Sequence, residues 1–286
     1  NECDLLIAVG CRFSDRVALQ PDTFASQAKI VHIDIDRSEI DKNVLTDHHI
    51  IGSAKRVLEL LNERLPQYHH QSWKEHILPL REPQVVEEGD KLTPGQILDA
   101  IEKAVPRDAI VATDVGQHQM WSIQHFHFNY PGQLLTSGGF GTMGFGLGAA
   151  IGAKIGNPDK VVVHTTGDGC FRMNCHELAT VEHYHLPIIT VVFNNGTLGM
   201  VRQWQHLIYH EHYSQTTLDR GPDFVKLAEA YGLKGKRVTN RAEMEQALQE
   251  ALSCGCGYVI DCQVDMDEMV RPMVAGGAHI TDFLLK

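Results

Sequence analysis

Apolar runs alternate with helix-like patterns along most of this sequence. The runs at 161–163 and 188–193 are continuous and rich in β-branched residues, which is typical of strands buried on both faces. Between them, the segment 174–184 carries apolar residues at helical spacing. A strand, a helix and a second strand in this order make the two strands parallel neighbours.

The same alternation extends over the rest of the chain and predicts an α/β fold with a doubly wound, mostly parallel sheet. Further strands are predicted at 5–9, 29–34, 109–113 and 258–264. Helices are predicted at 54–65, 94–105, 139–155, 223–231 and 241–254.

The length of 286 residues exceeds what one hydrophobic core usually serves, so two structural units are expected. We predict part of a smaller α/β central domain at 1–66, a polar surface linker at 67–92 and a larger α/β domain at 93–286. The linker includes an acidic patch at 87–90. Because the strand at 5–9 is expected to be buried and begins so early, we expect the chain to be the carboxyl part of a longer protein.

Two polar motifs close the central pair of predicted strands. Gly167-Asp168-Gly169 follows the first strand and Asn194-Asn195 the second, with 24 residues between the motifs. Because the carboxyl ends of parallel strands meet at one edge of a sheet, both motifs are expected at a ligand-binding edge. Asp168, Asn195 and the main-chain carbonyl of Thr197 offer three oxygens, and Mg²⁺ completes its shell of about six with phosphate and water.

The glycines beside Asp168 point to an anion next to this metal. Gly167 and Gly169 let the main chain approach a phosphate group closely. The amides of Gly169 and Cys170 open the next predicted helix, and a helix N-terminus favours negative charge. Taken together, these residues predict a site for a divalent metal and a diphosphate.

These motifs and three further segments resemble the large catalytic subunit of acetolactate synthase (acetohydroxyacid synthase), within the thiamine diphosphate (ThDP) enzyme superfamily. The segments are 113–121 (TDVGQHQMW), 137–146 (SGGFGTMGFG) and 198–204 (LGMVRQW). The resemblance implies ThDP with Mg²⁺ as cofactors. It also implies carboligation of pyruvate with a second 2-oxo acid to 2-acetolactate or 2-aceto-2-hydroxybutyrate, in branched-chain amino acid biosynthesis.

The resemblance assigns roles to individual cofactor-binding residues. Gln117 and His118 touch the diphosphate. The carbonyl of Gly141 receives the 4′-amino group of the aminopyrimidine, and Met143 wedges between the two rings of the cofactor. This wedge brings the 4′-nitrogen close to the thiazolium proton, and such proximity makes a slow deprotonation fast.

Met200 and Trp204 are four residues apart on a predicted helix and share one face. By resemblance, this face borders the active-site channel, where the tryptophan restricts the second 2-oxo acid. The resemblance also implies a homo-oligomer with an active site shared between subunits, and a small regulatory subunit. The family uses a glutamate from an amino-terminal pyrimidine-binding domain, which has no match in these residues. We therefore expect little or no carboligase activity from this chain alone.

The segments 10–16 and 32–36 resemble the FAD-binding segments of the same family's central domain. By resemblance, Arg12 and Arg16 serve the FAD diphosphate. Asp34 or Ile35 serves the adenosine end, and an acid at the end of a second strand is a familiar ribose partner. FAD in the intact protein would then be structural rather than redox-active.

Composition narrows the class of partner and the compartment. The net charge of −11 argues against nucleic acid and anionic membranes as partners. No apolar run approaches the ~20 residues of a membrane span. The seven cysteines contain no CxxC pair, so reduced thiols and a cytoplasmic location are expected, or an organelle if a transit segment has been removed.

Three alternatives stay open from the sequence. The first is another ThDP enzyme, such as a glyoxylate carboligase or a pyruvate oxidase, which the RQW string ending at Trp204 disfavours. The second is a ThDP-binding fragment without catalytic activity. The third is a nucleotide-binding Rossmann module, which is disfavoured on the expectation that no GxGxxG pattern follows a strand.

Overall fold

A computed structural model of the chain describes residues 1–80, 86 and 89–284. The chain divides into two compact units, one made of 1–81 with 271–286 and the other of 82–270. The first unit thus includes a carboxyl-terminal segment that the sequence analysis placed in the larger domain. Two residues of the predicted acidic patch, Glu87 and Glu88, lie outside the described residues. The predicted domain boundaries stay a prediction.

The first unit contains a three-stranded parallel sheet in the order β1-β2-β3. Its strands are β1 (Leu5–Val9), β2 (Lys29–Asp34) and β3 (His48–Ile51), and its helices are α1 (Asp15–Ala18), α2 (Ala54–Arg64) and α3 (Gln71–Ile77). The expectation that the first strand is buried is wrong. Leu5 and Ile7 are 49% and 50% exposed, because β1 is an edge strand and these residues point away from the small core.

Two elements of this unit were not predicted. β3 is a short strand of four exposed residues. Its sequence HHII begins with two histidines, so the apolar run is too short to predict a strand. Helix α3 lies inside the predicted linker and is exposed along its length. Its sequence has no apolar stripe, so the hydrophobic pattern could not indicate a helix.

The second unit is built on a six-stranded parallel sheet, and the predicted α/β fold class is confirmed. Its strands are β4 (Ile110–Thr113), β5 (Leu134–Leu135), β6 (Val162–Gly167), β7 (Ile188–Asn194), β8 (Lys234–Val238) and β9 (Tyr258–Gln263), in the order β5-β4-β6-β7-β9-β8. All six residues of β6 and the first six of β7 are buried, as their continuous apolar runs predicted.

The chain changes direction across the sheet next to β4. From β4 it passes to β5 on one side and then to β6 on the other, so the switch point lies between β4 and β6. In open α/β sheets a crevice forms at this point, outside the carboxyl ends of the strands. The polar motif at the end of β6 therefore lies at this crevice, where α/β sheets bind ligands.

Helices cover both faces of this sheet. They are α4 (Pro94–Ala104), α5 (Gln117–His125), α6 (Phe145–Gly156), α7 (Asp168–Asn174), α8 (Leu178–His183), α9 (Gly199–Leu207), α10 (Phe224–Ala230) and α11 (Arg241–Cys254). One buried cluster includes Ile97, Val163 and Met244, and a second includes Leu147 and Phe171. Among the described residues, no helix has the length and apolar character needed to cross a membrane.

Several helix limits differ from the predictions. The single helix predicted at 174–184 is instead α7 and α8 joined by a short 3₁₀ turn. Helix α6 begins at Phe145 rather than at 139, because Gly141 and Gly144 adopt φ angles of 71° and 87° that a helix cannot hold. The segment 139–144 also matches GxGxxG after the short strand β5, so the statement that no such pattern follows a strand is wrong.

Two small strands complete the described fold. β10 (Met273–Val274) and β11 (Phe283–Leu284) form an antiparallel pair within the first unit. They follow the polar segment after β9, and the sequence analysis assigned no element to either.

Candidate active site

A cleft opens at the carboxyl edge of the six-stranded sheet, at its switch point. It is lined by residues of three segments, 115–121 after β4, 167–170 at the end of β6 and 195–201 after β7, together with Met143 and Phe193. Its empty space, including open solvent, is about 510 Å³. The cleft therefore brings together most residues that the sequence analysis singled out.

Asp168 is the most unusual acid in this cleft. Its carboxylate is 2% exposed, and its Oδ1 accepts a hydrogen bond from the Gly169 amide at 3.0 Å. Its Oδ2 is buried and has no hydrogen-bond partner among the described residues. Burial raises the pKa of Asp168 to about 6, even though the neighbouring amides lower it in part. A buried carboxylate oxygen without a partner is a group that a cation would satisfy.

Asn195 is held by two hydrogen bonds that fix its amide. Its Nδ2 donates to Oε1 of Gln117 at 3.3 Å, and its Oδ1 accepts from the Thr197 amide at 3.2 Å. Thr197 is buried and pairs as a short bridge with Thr217. In one hydrogen bond of this bridge the Leu198 amide donates, and in the other the Gly196 carbonyl accepts. Neither hydrogen bond uses the Thr197 carbonyl.

Gln117 connects Asn195 to the carboxyl-terminal part of the second unit. Its Nε2 donates to Oε1 of Gln203 and to the Glu268 carbonyl, both at 2.9 Å. Gln203 in turn donates to the Val270 carbonyl at 3.0 Å and accepts from its amide at 2.9 Å. The side chain of Gln117 thus bonds to protein groups on both of its polar atoms and orients Asn195. Sequence reasoning missed Gln203, because a glutamine on a helix carries no signal of burial.

His118 lies in the first turn of α5. Burial lowers the pKa of this histidine to about 4, so it is neutral near pH 7. Its ring bonds to the Asp114 main chain, and its Nε2 is buried without a hydrogen-bond partner among the described residues. A side chain at Gly167 would place Cβ 3.0 Å from the ring, so the close approach requires glycine there.

Asp114, which directly follows β4, stabilises the structure next to the cleft. It was not predicted as a site residue from the sequence. Its carboxylate accepts from Thr166 Oγ1 at 2.8 Å and from the Gly146 amide at 3.1 Å, and it pairs with His164 Nε2 at 3.1 Å. Burial alone would raise the pKa of Asp114, but the bond and charge of His164 lower it to about 2. The acid ties the start of α6 to strand β6.

Cys170 is a buried thiol at the start of α7. Its Sγ donates to the Val115 carbonyl at 3.1 Å, and burial raises the pKa of the thiol to about 12. The thiol is therefore protonated and acts as a structural group, whereas its amide belongs to the turn that follows Asp168.

No group of three or more His, Cys, Asp and Glu side chains in the described parts of the chain could hold a metal. A metal in this cleft would therefore be bound by one carboxylate together with amide and carbonyl oxygens. Such a mixed oxygen set suits Mg²⁺ rather than zinc or copper.

Comparison with known proteins identifies the family. Residues 114–262 match the family described as "Thiamine pyrophosphate enzyme, C-terminal TPP binding domain", and residues 1–61 match its "central domain". The chain belongs to the thiamine pyrophosphate enzyme family. Thiamine pyrophosphate is the same compound as ThDP, so the resemblance inferred from the sequence motifs is confirmed at this level.

Several relatives of this ThDP enzyme chain are acetolactate synthase large subunits. It is 42% identical to the isozyme 2 large subunit of Escherichia coli K12, over 100% of the chain and 52% of that protein. It is 43% identical to a probable large subunit of Methanocaldococcus jannaschii, over 99% of the chain and 50% of that protein. It is 44% identical to the large subunit of Pyropia yezoensis, over 97% of the chain and 48% of that protein. The chain spans about half the length of the curated relatives it matches.

The remaining predicted residues of the ThDP-binding half divide into two groups. Met143 lines the cleft, and its Cε would lie 3.8 Å from a Cβ placed on Gly169. Met200 also lines the cleft from the first turn of α9. Gly141 is exposed, and Trp204 is partly buried on α9. Within the described residues, neither of these two is among those that line the cleft.

The predicted FAD residues lie in the first unit. Asp34 ends β2, and Gly10 directly follows β1, with its amide bonded to the Ile33 carbonyl at 2.8 Å. Asp34 is partly buried, and its Oδ1 accepts from the Asp36 amide at 2.8 Å. Arg12 and Arg16 are exposed on the segment that follows β1. All of them lie at the carboxyl side of the small sheet, and their binding role stays a prediction.

Proposed function

We propose that this chain is the carboxyl portion of an acetolactate synthase large subunit. In this reaction pyruvate and a second 2-oxo acid give 2-acetolactate, or 2-aceto-2-hydroxybutyrate when the acceptor is 2-oxobutyrate. The observation that carries the proposal is the cleft at the sheet's switch point. There, the buried and unsatisfied oxygen of Asp168 lies in the same cavity as Asn195 and Thr197. The names and identities of the relatives support the choice of reaction.

In this proposal Mg²⁺ is held by the Asp168 carboxylate, the Asn195 amide oxygen and the Thr197 carbonyl. The residues fit the ion, because the oxygen of Asp168 lacks a partner and the amide of Asn195 is already oriented by Gln117. With Mg²⁺ bound, the raised pKa of Asp168 falls and the carboxylate stays ionised at neutral pH.

The diphosphate of ThDP would be received by the amides of Gly169 and Cys170, with His118 beside them. The ring N–H of neutral His118 is used by the Asp114 main chain, which leaves Nε2 as an acceptor. His118 would therefore donate to a phosphate oxygen only after Nε2 binds a proton, which a nearby anion favours. Gln117 contributes by orienting Asn195, since its side-chain atoms are bonded to protein groups. Gly167 and Gly169 keep this part of the cleft open, because a Cβ on either would meet a neighbour within 3.0 Å.

The organic part of the cofactor would contact the glycine-rich segment before α6. Gly141 offers its carbonyl to the aminopyrimidine, and Met143 separates the two rings from within the cleft. When bound, ThDP supplies the electron sink for decarboxylation and carbon–carbon bond formation, while the protein supplies orientation and electrostatics. Met200 and Trp204, one turn apart on α9, would border the substrates, with the tryptophan limiting the size of the acceptor.

The wider assembly is part of the same proposal. FAD would bind the first unit through Arg12, Arg16 and Asp34 in a structural role. The complete enzyme would be a homo-oligomer with shared active sites, joined by a small regulatory subunit, and located in the cytoplasm. Support for the regulatory subunit comes from relatives that are named large subunits.

Calorimetric titration of the purified chain with ThDP tests the proposed site. We expect binding with Mg²⁺ present, about tenfold or more weaker binding in excess EDTA, and the same weakening in Asp168→Ala. Asp159→Ala is the matched control, because this acid lies outside the cleft lining of the described residues. Equal ThDP affinity in Asp168→Ala and in the parent chain would overturn the metal site.

The reaction is tested separately by joining the chain to the preceding half of the Escherichia coli relative. This chimera should form acetolactate from pyruvate, and Trp204→Ala should change the preference between pyruvate and 2-oxobutyrate as acceptors. A chimera that binds ThDP and decarboxylates pyruvate without forming acetolactate would point instead to another ThDP decarboxylase.

A further inference from the structure

Two cysteines lie in contact at the amino edge of the six-stranded sheet, opposite the carboxyl edge that holds the candidate active site. Cys254 is the last residue of α11, and Cys256 follows it after Gly255, just before β9 begins. Gly255 adopts the left-handed conformation, with φ 65° and ψ 17°, and turns the chain back at the helix end. This turn brings the two Sγ atoms to 2.8 Å from each other. A disulfide bond of about 2.05 Å requires them to approach by less than about 1 Å.

The hydrogen bonds make the two sulfurs unequal. Cys254 Sγ accepts from the Cys256 thiol at 2.8 Å and from the Cys256 amide at 3.3 Å. As a thiol, Cys254 also donates to the carbonyls of Ala251 and Cys256, at 3.4 and 3.2 Å. The thiolate is the attacking species in thiol–disulfide exchange, and only the Cys254 sulfur has donors of Cys256 directed at it. Burial, followed by the bond to Cys254, raises the pKa of Cys256 to about 11, so this thiol keeps its proton until the first sulfur has reacted.

Cys254 is also reachable from solvent. It lines an open cleft together with Lys234, Ser253 and Tyr258, with about 820 Å³ of empty space including solvent. The lining of this cleft includes one cation, Lys234, and the acids Glu229 and Glu250, so its charge does not select an anionic reagent. By contrast, Cys262 is buried in the core, and Cys170 is buried and bonded to the Val115 carbonyl.

We propose that Cys254 and Cys256 form a redox-active dithiol that a low-molecular-weight disulfide oxidises to an intramolecular disulfide. The Cys254 thiolate attacks one sulfur of the reagent, forms a mixed disulfide and releases one thiolate. Cys256 then loses its proton to solvent and attacks Cys254 Sγ, which closes the ring and releases the second thiolate. The dithiol is oxidised by two electrons, and the reagent is reduced to two thiols.

A ring closed across a single residue is strained, and strained disulfides have higher reduction potentials than structural ones. The pair therefore stays reduced in a strongly reducing solution and closes as the solution becomes more oxidising. A metal-binding role is disfavoured, because no group of three or more His, Cys, Asp and Glu is found in the described ranges.

The full chain, first reduced, is equilibrated with mixtures of oxidised and reduced glutathione, and the remaining thiols are then alkylated. We expect five alkylated thiols instead of the seven that the sequence contains, and a mass lower by two hydrogens than that of the reduced protein. In the tryptic peptide 242–286, which is not cleaved at the Arg271–Pro272 bond and carries three cysteines, only Cys262 should be alkylated. Seven alkylated thiols at every ratio, a disulfide that includes Cys262, or a persistent glutathione adduct would each overturn the proposal.

Variants test the order of the two sulfurs and the role of the fold. Cys256→Ser should stop at a glutathione adduct on Cys254, whereas Cys254→Ser should form its adduct about tenfold more slowly. Cys175→Ser, a partly buried cysteine outside the pair, should close the ring as the parent does. In urea, the equilibrium constant for ring closure should fall about tenfold, because the unfolded chain no longer holds the sulfurs together. An equal constant in both conditions would show that the fold does not prepare the pair.

Discussion

At the residue scale, Asp168 shows how the cleft is prepared for a cation. One of its oxygens accepts a hydrogen bond from Gly169, while the other is buried without a partner among the described residues. Leaving a buried charged group unsatisfied costs free energy, so the folded chain without metal favours the protonated acid. Below about pH 6 the same residue is then neutral without a cation and ionised with one bound.

This arrangement predicts how the stability of the metal-free chain depends on pH. The pKa of Asp168 is about 6 in the folded chain and 3.8 in the reference state, so the folded chain binds more protons between these values. The free energy of unfolding should fall by about 3 kcal/mol as the pH rises from about 4 to above 6.

Urea denaturation of the parent chain and of Asp168→Asn, measured side by side from pH 4.5 to 7.5 in EDTA, checks this prediction. The variant should lack this component, and Mg²⁺ with ThDP should remove it from the parent chain. Identical pH dependence in the two proteins would show that Asp168 does not titrate as described.

A second prediction at this scale concerns Gly199. A Cβ at this position would lie 1.9 Å from Oε1 of Gln117 and 2.8 Å from Nδ2 of Asn195. Gly199→Ala must therefore displace the two amides that orient the metal loop. We expect a loss of about 1–3 kcal/mol in the free energy of unfolding and weaker Mg²⁺-dependent ThDP binding.

A double-mutant cycle isolates the cause of this effect. With Gln117→Ala in place, the added methyl group has lost its nearest obstacle, so Gly199→Ala should cost clearly less than it does in the parent chain. Additive costs in urea denaturation would mean that the substitution acts through helix α9 and not through Gln117.

At the element scale, the glycines of helix α6 allow the cost of a packing clash to be measured separately from the effect of helix propensity. Gly146 lies where the helix start meets the sheet, and a Cβ there would approach His164 Nε2 at 2.6 Å and the Asp114 amide at 2.8 Å. Gly148 and Gly152 lie on the same helix, and a Cβ on either meets nothing within 4 Å. Gly146→Ala should therefore destabilise the chain by about 1–3 kcal/mol or more.

The two open glycines of α6 are matched controls for that measurement. Gly148→Ala and Gly152→Ala should be neutral or stabilise the chain by up to about 1 kcal/mol, because alanine favours the helix. All three variants are compared by thermal and urea denaturation. A similar loss in all three would contradict the packing argument and point to a general need for glycine in this helix.

The elements also show what a sequence pattern can and cannot predict. The helix Arg241–Cys254 was predicted with its observed limits, because Asn240 caps its start and Gly255 ends it. The strand Lys234–Val238 was missed, because its sequence KGKRV is polar apart from its last residue and lies at the edge of the sheet.

The residues of the candidate site also divide into those that a sequence pattern can predict and those that it cannot. The positions of the motifs at 167–169 and 194–195 on neighbouring strand ends could be predicted from apolar runs and residue types, while their metal-binding role stays a prediction. In contrast, the bonds of Gln203 to Gln117 and Val270 join positions far apart in the chain, and no local pattern reveals them.

At the scale of the whole molecule, the cleft belongs to one unit. All its lining residues lie between 115 and 201, and the polar chain that orients Asn195 ends at Val270, the last residue of the second unit. This unit has buried clusters on both faces of its sheet, and the small core of the first unit is a separate cluster. The structure that positions the metal loop is therefore contained within 82–270.

This containment predicts the behaviour of two fragments that differ only at their ends. Fragment 82–270 should fold and bind ThDP with Mg²⁺ within about threefold of the affinity of the full chain. Fragment 82–262 keeps the complete family match that begins at 114, but it lacks Glu268 and Val270, which bond to Gln117 and Gln203. Removing supports of metal ligands typically costs about 10–100-fold in metal affinity, and we expect a loss in this range.

Circular dichroism establishes that each fragment is folded, and calorimetry then compares their ThDP titrations at fixed Mg²⁺. If both fragments are folded and bind equally, the polar chain from Val270 to Asn195 does not position the metal loop. If 82–270 is folded but does not bind, residues of the first unit are needed for the site. Only strong binding by the longer fragment and weak binding by the shorter one agree with a site whose orientation depends on the segment after β9.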